Sequence, residues 1–352
     1  MAVTLSSLAD LGALPFDSII DVRSPAEYVE DHVPGAISLP VLDNEERAQV
    51  GTIYKQESPF TARKLGAALV ARNAARHLQG PLADKDGGWR PLVYCWRGGQ
   101  RSGSFSVILA QVGWRSDVVQ GGYKAYRKLV VQAMHEAPLP HRLVLIDGLT
   151  GTGKTDLLAL LAETGAQVVD LEGIGRHRGS LFGGMPGGQP AQKMFESRLA
   201  MAFGALDPAR PVFVEAESAK VGDLLVPPSV WKAMQAAPRI ELAAPVAARA
   251  AYTVTAYDDI VADRAALGAV LDQLRPYQPR ELIARWHGLA QAGEMQALAA
   301  ELMAQHYDPR YIRAQGKVGA RIGVVEMADV SPASLRGAVP RVLELGTGVS
   351  DR

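Results

Sequence analysis

Hydrophobic and polar residues fall into two blocks in which short apolar runs alternate with longer amphipathic stretches. Apolar runs predict the strands of the first block, at 18–22, 36–39, 91–95 and 118–119. Amphipathic periodicity predicts helices over 61–78 and 102–112. A further helix is expected to begin at Ser24-Pro25-Ala26-Glu27, because a capping Ser precedes an early Pro and a Glu lies three positions after the cap.

The second block follows Ala137-Pro138-Leu139-Pro140, which is typical of a linker because its prolines interrupt both periodicities. Strands are predicted at 142–147, 167–170 and 211–215, with a glycine-rich loop and a helix from Lys154 after the first of them. Beyond Pro245 the pattern is mostly helical up to residue 305. Strands that alternate with helices favour two α/β domains with largely parallel sheets.

Three segments are expected from these patterns. They are a domain over 1–136, a second domain with a helical extension over 137–310, and a C-terminal segment of unknown role over 311–352. The 37 Lys and Arg residues balance 37 Asp and Glu, so any nucleic-acid contact must come from local clusters. The chain has one cysteine and no uninterrupted apolar run of about 18 residues, so we expect a cytoplasmic protein that does not cross a membrane.

The cysteine, Cys95, lies between a predicted strand and a predicted helix. Backbone N–H groups and the positive end of a helix lower the pKa of a thiol in such a loop, so an exposed nucleophilic thiolate is expected there. The alternative is an inert cysteine at a strand end. The candidate anion loop after Cys95 consists of Trp96, Arg97, Gly98, Gly99, Gln100, Arg101 and Ser102.

A second loop fits the pattern G-x-x-x-x-G-K-[ST], which holds phosphate groups between a strand and a helix. Its backbone N–H groups bind phosphate oxygens, its lysine neutralises charge, and its threonine is a candidate ligand of Mg²⁺. A glycine-rich turn without a ligand is the alternative. The candidate diphosphate-binding residues are Gly148, Gly151, Thr152, Gly153, Lys154 and Thr155.

Polar residues after the next two predicted strands are candidates for support of a magnesium-bound diphosphate. Helix capping and solvation are the alternative for Glu172, Glu215 and Ser218, and no firm metal site or cofactor follows from the whole set. These residues are Asp170, Glu172, Glu215, Glu217 and Ser218. The glycine-rich segment from His177 to Gly184 suits either a lid over a ligand or a surface excursion, and its candidate lid residues are His177, Arg178 and Ser180.

The first block resembles the rhodanese family in Asp21-Val22-Arg23, Glu27-Tyr28, His32-Val33-Pro34-Gly35-Ala36 and the Cys95 loop. In that family the cysteine carries sulfur or selenium. Five residues separate Cys95 from Arg101 where the usual sulfurtransferase loop has four, and this spacing resembles rhodanese-fold phosphatases. The resemblance implies a rhodanese-like α/β domain, followed here by a P-loop NTPase-like parallel-sheet domain and a mostly helical C-terminal region.

The order of the motifs in both blocks resembles the tRNA 2-selenouridine synthase family. The resemblance implies a two-step exchange on the wobble 2-thiouridine of tRNA, with geranyl diphosphate and selenophosphate as substrates. Sulfur of the base first attacks geranyl diphosphate, and selenium from selenophosphate then replaces the geranylthiol. The implied partners are the anticodon arm of tRNA and the synthase that makes selenophosphate.

Basic residues near aromatic ones are candidates for tRNA contact, with a solvated surface as the alternative. Arg275 and Arg280 lie close in sequence to Tyr277 and Trp286, which are expected to stack on bases. The candidate tRNA contacts are Lys124, Arg127, Lys128, Arg275 and Arg280.

Two other function classes stay open, a P-loop kinase or ATPase with a regulatory rhodanese module and a protein that only binds oxyanions or modified tRNA.

Overall fold

The computed structural model describes residues 2–315 and 319–348. The chain forms two compact units. Unit 1 contains the residues up to Ala137 together with Pro190–Ala205, and unit 2 contains Pro138–Gln189 and the residues from Leu206 onward. The chain therefore leaves unit 2 for a single segment of unit 1 and then returns.

The described residues form twelve strands and seventeen α-helices. The strands are β1 (Ala2–Val3), β2 (Ser18–Asp21), β3 (Ile37–Ser38), β4 (Pro91–Tyr94), β5 (Asp117–Val119), β6 (Arg142–Gly148), β7 (Gln167–Val169), β8 (Pro211–Glu215), β9 (Lys220–Val221), β10 (Leu224–Leu225), β11 (Arg239–Ala243) and β12 (Arg321–Glu326). The helices are α1 (Asp10–Ala13), α2 (Pro25–Glu30), α3 (Asn44–Gln56), α4 (Pro59–Gln79), α5 (Gln100–Val112), α6 (Gly122–Val131), α7 (Lys154–Glu163), α8 (Leu171–Gly175), α9 (Gln192–Gly204), α10 (Pro228–Ala236), α11 (Val246–Ala256), α12 (Asp258–Ala262), α13 (Arg264–Asp272), α14 (Arg280–Ala292), α15 (Met295–Leu302), α16 (Asp308–Gln315) and α17 (Pro332–Thr347).

Unit 1 is built on a five-stranded parallel sheet in the order β1-β5-β4-β2-β3. The predicted strands and helices of the first block are confirmed. Glu27 accepts a hydrogen bond from the Ser24 N–H at 3.0 Å, as expected of the predicted helix start at α2. The hydrophobic core includes Val93 of β4 and Phe105 of α5, so the central strand and the helix after it are anchored together.

A buried ion pair holds the carboxyl end of β2. Arg23 is 1% exposed and donates to Asp21 through Nε (3.0 Å) and Nη2 (2.7 Å). The Tyr94 hydroxyl donates to the same carboxylate at 2.8 Å, and the Arg23 guanidinium lies 4.0 Å from the centre of the Tyr123 ring. This network joins β2 to β4 and to α6.

Helix α9 belongs to unit 1, although its sequence lies inside the second block. Arg127 on α6 forms an ion pair with Glu196 on α9 and lies 3.6 Å from Asp31. Lys193 reaches Glu30 at 2.5 Å. Lys193 and Glu196 of α9 therefore pair with charged groups that lie far away in sequence.

Unit 2 has a second five-stranded parallel sheet, in the order β12-β11-β6-β8-β7. The predicted strands β6, β7 and β8 are confirmed. Strands β11 and β12 were not predicted from the sequence. Strand β12 lies at the sheet edge and pairs in parallel with β11. The C-terminal segment therefore contributes a strand, and α17 adds Leu335, Val339 and Val342 to the core of this sheet.

Helices from α12 to α15 form a separate core in unit 2, around Trp286. This arrangement confirms the mostly helical pattern beyond Pro245. In the part of the chain that the structure describes, no helix is both long enough and apolar enough to span a membrane.

Replacement of Arg23 by methionine is expected to lower the free energy of unfolding of unit 1 by about 3–5 kcal/mol, because it leaves the buried Asp21 charge without its partner. Hydrogen exchange of unit 1 peptides in urea measures this loss separately from unit 2. Arg90→Met is the control, since Arg90 pairs with Asp17 at 3.7 Å on the surface and its loss costs at most about 1 kcal/mol. Equal effects of the two variants would contradict the structural role of Arg23.

Candidate functional sites

The thiol of Cys95 lies between β4 and α5, at the base of the anion loop. Cys95 is 4% exposed, so the prediction of an exposed thiol is wrong. The Ser102 hydroxyl donates to Sγ at 3.2 Å. Burial raises the pKa of the Cys95 thiol, but hydrogen bonds from the Ser102 hydroxyl and the backbone N–H groups of Ser102 and Arg97, with the charge of Arg101, lower it below its usual value. The sulfur is buried but surrounded by donors that favour a thiolate.

The anion loop takes its shape from close contact with the start of α6. The Tyr123 N–H donates to the Cys95 carbonyl at 2.8 Å, and the Lys124 N–H donates to the Trp96 carbonyl at 3.1 Å. A Cβ atom on Gly122 would lie 2.2 Å from the Cys95 carbonyl oxygen, so only glycine fits there. The Gly121-Gly122 pair therefore serves the loop that lies more than twenty residues earlier in the chain.

The two arginines of the anion loop have different surroundings. Arg101 forms an ion pair with Glu27 at 2.8 Å. Burial raises the pKa of Glu27, but this contact with Arg101 outweighs it and lowers the pKa to about 2. Arg97 is exposed and forms no ion pair within the described ranges, so its guanidinium is available to an incoming anion. Trp96 is half-buried and stacks near Tyr123, at 5.2 Å between ring centres.

The phosphate loop joins β6, the middle strand of its sheet, to α7. Lys154 Nζ donates to the Gly148 carbonyl at 2.9 Å, and the Thr155 hydroxyl donates to Glu172 at 3.0 Å. The Thr152 hydroxyl is turned inward and donates to the Leu149 carbonyl at 2.9 Å. Lys154 and Thr155 thus lie at the mouth of the loop, while Thr152 stabilises its backbone.

A buried arginine, Arg249, that was not predicted from the sequence stabilises the backbone of this loop. Arg249 on α11 donates to the Thr150 carbonyl at 3.0 Å and forms two hydrogen bonds with Asp308, at 3.0 and 2.8 Å. Gly151 has a φ of +82°, and a Cβ atom there would lie 2.6 Å from Thr253 Oγ1. The loop therefore packs against α11 with no room for a side chain.

Two of the candidate carboxylates meet next to the phosphate loop. Glu172 and Glu217 lie so close together that a Cβ atom on Gly179 would be 2.6 Å from an oxygen of each. Burial and the charge of Glu172 raise the pKa of Glu217 to about 8. Glu217 therefore keeps its proton at neutral pH unless a nearby cation neutralises the charge of the pair. Ser218 lines the same cleft.

The other two candidate carboxylates do not line this cleft. Asp170 accepts a hydrogen bond from the Gly173 N–H at 2.6 Å and caps α8. Glu215 is fully buried and accepts from the Leu171 N–H at 3.0 Å. Burial and the neighbouring Asp170 raise the pKa of Glu215 well above its usual range. Both residues therefore bind the start of α8, and for Glu215 this agrees with the capping alternative.

Two of the candidate lid residues face the cleft. Arg178 lies 4.9 Å from the centre of the Tyr257 ring and forms an ion pair with Asp259 at 3.1 Å. Ser180 Oγ lies 3.2 Å from the Tyr257 hydroxyl. His177 packs instead against Gly222, where a Cβ atom would lie 2.7 Å from its ring. The segment closes one side of the cleft through Arg178 and Ser180.

The resulting cleft in unit 2 has about 1430 Å³ of empty space, counted up to its open mouth. Besides the phosphate loop and the carboxylate pair, it is lined by residues that the sequence analysis did not single out, Tyr252, Tyr257, Tyr307, Arg310 and Tyr311. Tyr307 and Tyr311 are four positions apart, a helical spacing that could have signalled one shared face. The cleft therefore combines cations and hydroxyl groups around a phosphate-binding loop.

The candidate tRNA contacts differ in what their side chains already bind. Lys124 and Lys128 on α6 and Arg280 at the start of α14 are exposed. Arg127 is engaged by Glu196 and Asp31, and Arg275 pairs with Asp272 at 2.8 Å on the surface. Trp286 is fully buried, so the expectation that it stacks on bases is wrong.

Two family models match the two blocks of the chain. The rhodanese-like domain matches residues 4–129, and the tRNA 2-selenouridine synthase AAA domain matches residues 141–273. The tRNA 2-selenouridine synthase of Nitrosomonas eutropha is 33% identical over 320 residues, which cover 89% of this chain and 78% of that protein. The chain belongs to the tRNA 2-selenouridine synthase family.

Other members of the tRNA 2-selenouridine synthase family align over different lengths. The protein of Bdellovibrio bacteriovorus is 31% identical over 90% of this chain and 80% of its own length. The protein of Nitrosomonas europaea is 37% identical over 66% of this chain, and the match spans 61% of that protein. Membership of the family confirms a rhodanese-like domain followed by a P-loop-like domain, and each contains one of the two loops.

The carboxylate pair makes a pH-dependent contribution to the stability of unit 2. Between the usual pKa of about 4.5 and the raised pKa of about 8, the folded state keeps a proton on Glu217 that the unfolded state loses. Stability therefore falls as the pH rises through this range. Glu217→Gln is expected to remove this fall, so the wild type should lose stability relative to the variant between about pH 4.5 and about pH 8.

Urea unfolding of both proteins in buffer without divalent cations measures the difference. Glu163→Gln is the control, because Glu163 is exposed and lies 3.7 Å from Arg336. Parallel pH profiles for the wild type and Glu217→Gln would contradict the raised pKa of Glu217.

Proposed function

We propose that the protein converts wobble 2-thiouridine of tRNA to 2-selenouridine through an S-geranyl intermediate, with geranyl diphosphate and selenophosphate as substrates. The observation that supports this best is the cleft of unit 2, in which Lys154 and Thr155 meet the carboxylate pair in a chain that belongs to this family. Such a cleft suits a diphosphate as a bound group and as a leaving group.

In the first step, the sulfur of 2-thiouridine attacks the allylic carbon of geranyl diphosphate. A carbon–sulfur bond forms, the carbon–oxygen bond breaks, and diphosphate leaves with the electron pair. The phosphate-loop N–H groups and Lys154 stabilise the charge that develops on the leaving oxygen. Arg310 lines the same cleft and adds positive charge around the product, whereas the charge of Arg178 is paired with Asp259.

A magnesium ion fits this site on the chemistry of its donors. Thr155, Glu172 and Glu217 offer one hydroxyl and two carboxylates beside the loop, and a divalent cation removes the repulsion that raises the pKa of Glu217. Within the described ranges no three carboxylate, histidine or cysteine side chains gather as a metal site. The ion therefore needs oxygen atoms of the diphosphate as further ligands.

In the second step, selenium of selenophosphate attacks the carbon that carries the geranylthio group. A carbon–selenium bond forms, geranylthiol leaves, and water cleaves the phosphorus–selenium bond to release phosphate. Selenium in selenophosphate is already in its reduced form, so no sulfur–selenium bond and no oxidant are needed. We assign the Cys95 loop to this selenium donor, because its N–H donors and the free Arg97 attract an anion. The Cys95 thiolate at the base of the loop takes a proton from the water that cleaves the phosphorus–selenium bond and passes it to the departing geranylthiolate.

The anticodon arm of tRNA is the proposed macromolecular substrate, with Lys124, Lys128 and Arg280 as its phosphate contacts. The enzyme that makes selenophosphate is the proposed supplier of the selenium donor. A chain with a single low-pKa cysteine suits the reducing cytoplasm, where tRNA is modified.

Lys154→Ala is expected to slow geranylation of thiolated tRNA by about a hundredfold or more, because it removes a charge that stabilises the leaving diphosphate. Mass spectrometry of nucleosides after incubation with geranyl diphosphate measures the S-geranyl product. Lys232→Ala, on α10 outside the cleft, is the matched control. Normal geranylation by Lys154→Ala, or steady hydrolysis of Mg-ATP without tRNA, would favour a kinase or ATPase instead.

Cys95→Ala is expected to keep geranylation and to lose selenium incorporation, since the thiolate at the base of the anion loop is removed. The measurement is 2-selenouridine formed from S-geranylated tRNA and selenophosphate. Ser106→Ala is the control, because it removes a hydroxyl of α5 that bonds Ser116 and not the thiol. Unchanged selenation by Cys95→Ala would refute the role of the thiol.

A further inference from the structure

A second cavity in unit 2 opens beside the phosphate-binding cleft, and its walls are almost entirely apolar. It has about 590 Å³ of empty space, counted up to its open mouth. Its walls come from the lid segment, α12, α13 and α15, and include Phe182, Val261, Leu267, Leu298 and Leu302. The proposed mechanism has so far used none of these residues.

The two cavities adjoin each other and share part of their lining. Thr150, Ser180, Thr253, Tyr257 and Tyr307 line both of them, so a ligand whose phosphates occupy the phosphate loop can extend directly into the apolar space. Thr150 belongs to the phosphate loop itself. The hydroxyl groups form a rim between a polar compartment and an apolar one.

One of these rim hydroxyls has an unused hydrogen-bonding capacity. Thr253 Oγ1 is buried and has no hydrogen-bond partner among the residues that the structure describes. It lies at the point where the loop packs most closely, since a Cβ atom on Gly151 would be 2.6 Å away. An oxygen that links a diphosphate to a hydrocarbon tail would give this buried hydroxyl an acceptor and would relieve the cost of burying it unpaired.

The chemistry of the cavity discriminates between possible tails. A purine or a sugar would bring donors and acceptors into walls of leucine, valine and phenylalanine, and each unpaired polar group would cost binding free energy. A hydrocarbon chain gains from the same burial. The combination of a phosphate loop and an apolar extension therefore selects a diphosphate ester of a hydrocarbon.

We propose that this cavity binds the isoprenoid tail of the diphosphate substrate and that its apolar walls set the preferred chain length. This inference rests on the proposed function, because it assigns the tail of the substrate whose diphosphate the cleft holds. Thr253 is a positioning residue for the ester oxygen at the rim. The shared rim places the allylic carbon between the two compartments, where the attacking sulfur must reach it.

The wild-type protein is tested by direct binding of dimethylallyl, geranyl and farnesyl diphosphates in the presence of Mg²⁺. The three ligands have the same diphosphate group, so differences report on the tail alone. We expect geranyl diphosphate to bind at least about tenfold more tightly than dimethylallyl diphosphate, since the longer tail buries more apolar surface. Val254→Phe, which fills the cavity from α11, is expected to remove this advantage while dimethylallyl diphosphate still binds.

Leu267→Ala enlarges the cavity and is expected to shift the preference from geranyl toward farnesyl diphosphate by about tenfold. Ile283→Ala is a close control, because Leu267 and Ile283 are both 4% exposed in the same helical core but only Leu267 lines the cavity. The control is expected to keep the wild-type preference. If Val254→Phe does not fold, Leu267→Ala still tests whether the cavity wall sets the chain-length preference.

Two results would overturn the proposal. Equal affinity of the wild type for dimethylallyl and geranyl diphosphates would show that the tail makes no apolar contact, even if tRNA is geranylated. The same shift in chain-length preference for Leu267→Ala and Ile283→Ala would show that the cavity wall does not set the length. Failure of the proposed function is distinguishable, because it would leave tail-dependent binding intact while tRNA receives no geranyl group.

Discussion

Both candidate sites depend on the same constraint, a glycine-containing connection between the middle strand of a parallel sheet and the helix that follows. Strand β4 leads into the Cys95 loop and strand β6 into the phosphate loop. In each connection another backbone or side chain approaches so closely that a Cβ atom would collide, at Gly98 in unit 1 and Gly151 in unit 2. Unpaired backbone N–H groups at the carboxyl ends of parallel strands bind anions. The close contacts hold each loop in the conformation that exposes such groups to an anion.

Arginine side chains stabilise these connections from inside the units. Arg23 neutralises Asp21 beside β4, Arg101 binds Glu27 behind the thiol, and Arg249 joins the phosphate loop to Asp308. These cations are matched to carboxylates and therefore offer little net charge to a ligand. Arg97 and Lys154 form no ion pair with described residues, and they lie at the mouths of the two loops. The balance of charge in the whole chain thus coexists with two locally positive openings.

Much of the fold and both loops could be predicted from the sequence, because apolar runs and glycine patterns are local signals. The same is true of the helix start at Ser24, whose cap and partner are three positions apart. What could not be predicted depends on partners distant in sequence. Arg249 and Asp308 are 59 positions apart, and Arg127 meets Glu196 on a helix from the other block. The burial of Cys95 and Trp286 likewise follows from packing, which no local pattern reports.

The acidic groups of unit 2 favour the proposed departure of diphosphate from the cleft over activation of water. The strand next to β6 ends at Glu215, the position from which a carboxylate usually supports a metal ion, but here that side chain is buried against the N–H of Leu171. Its place at the cleft is taken by Glu217, whose pKa is raised by burial and by the charge of Glu172. The adjoining apolar walls provide few partners for a water molecule. Under the proposed function, stabilisation of the departing diphosphate beside walls that offer water few partners would favour attack by sulfur over hydrolysis.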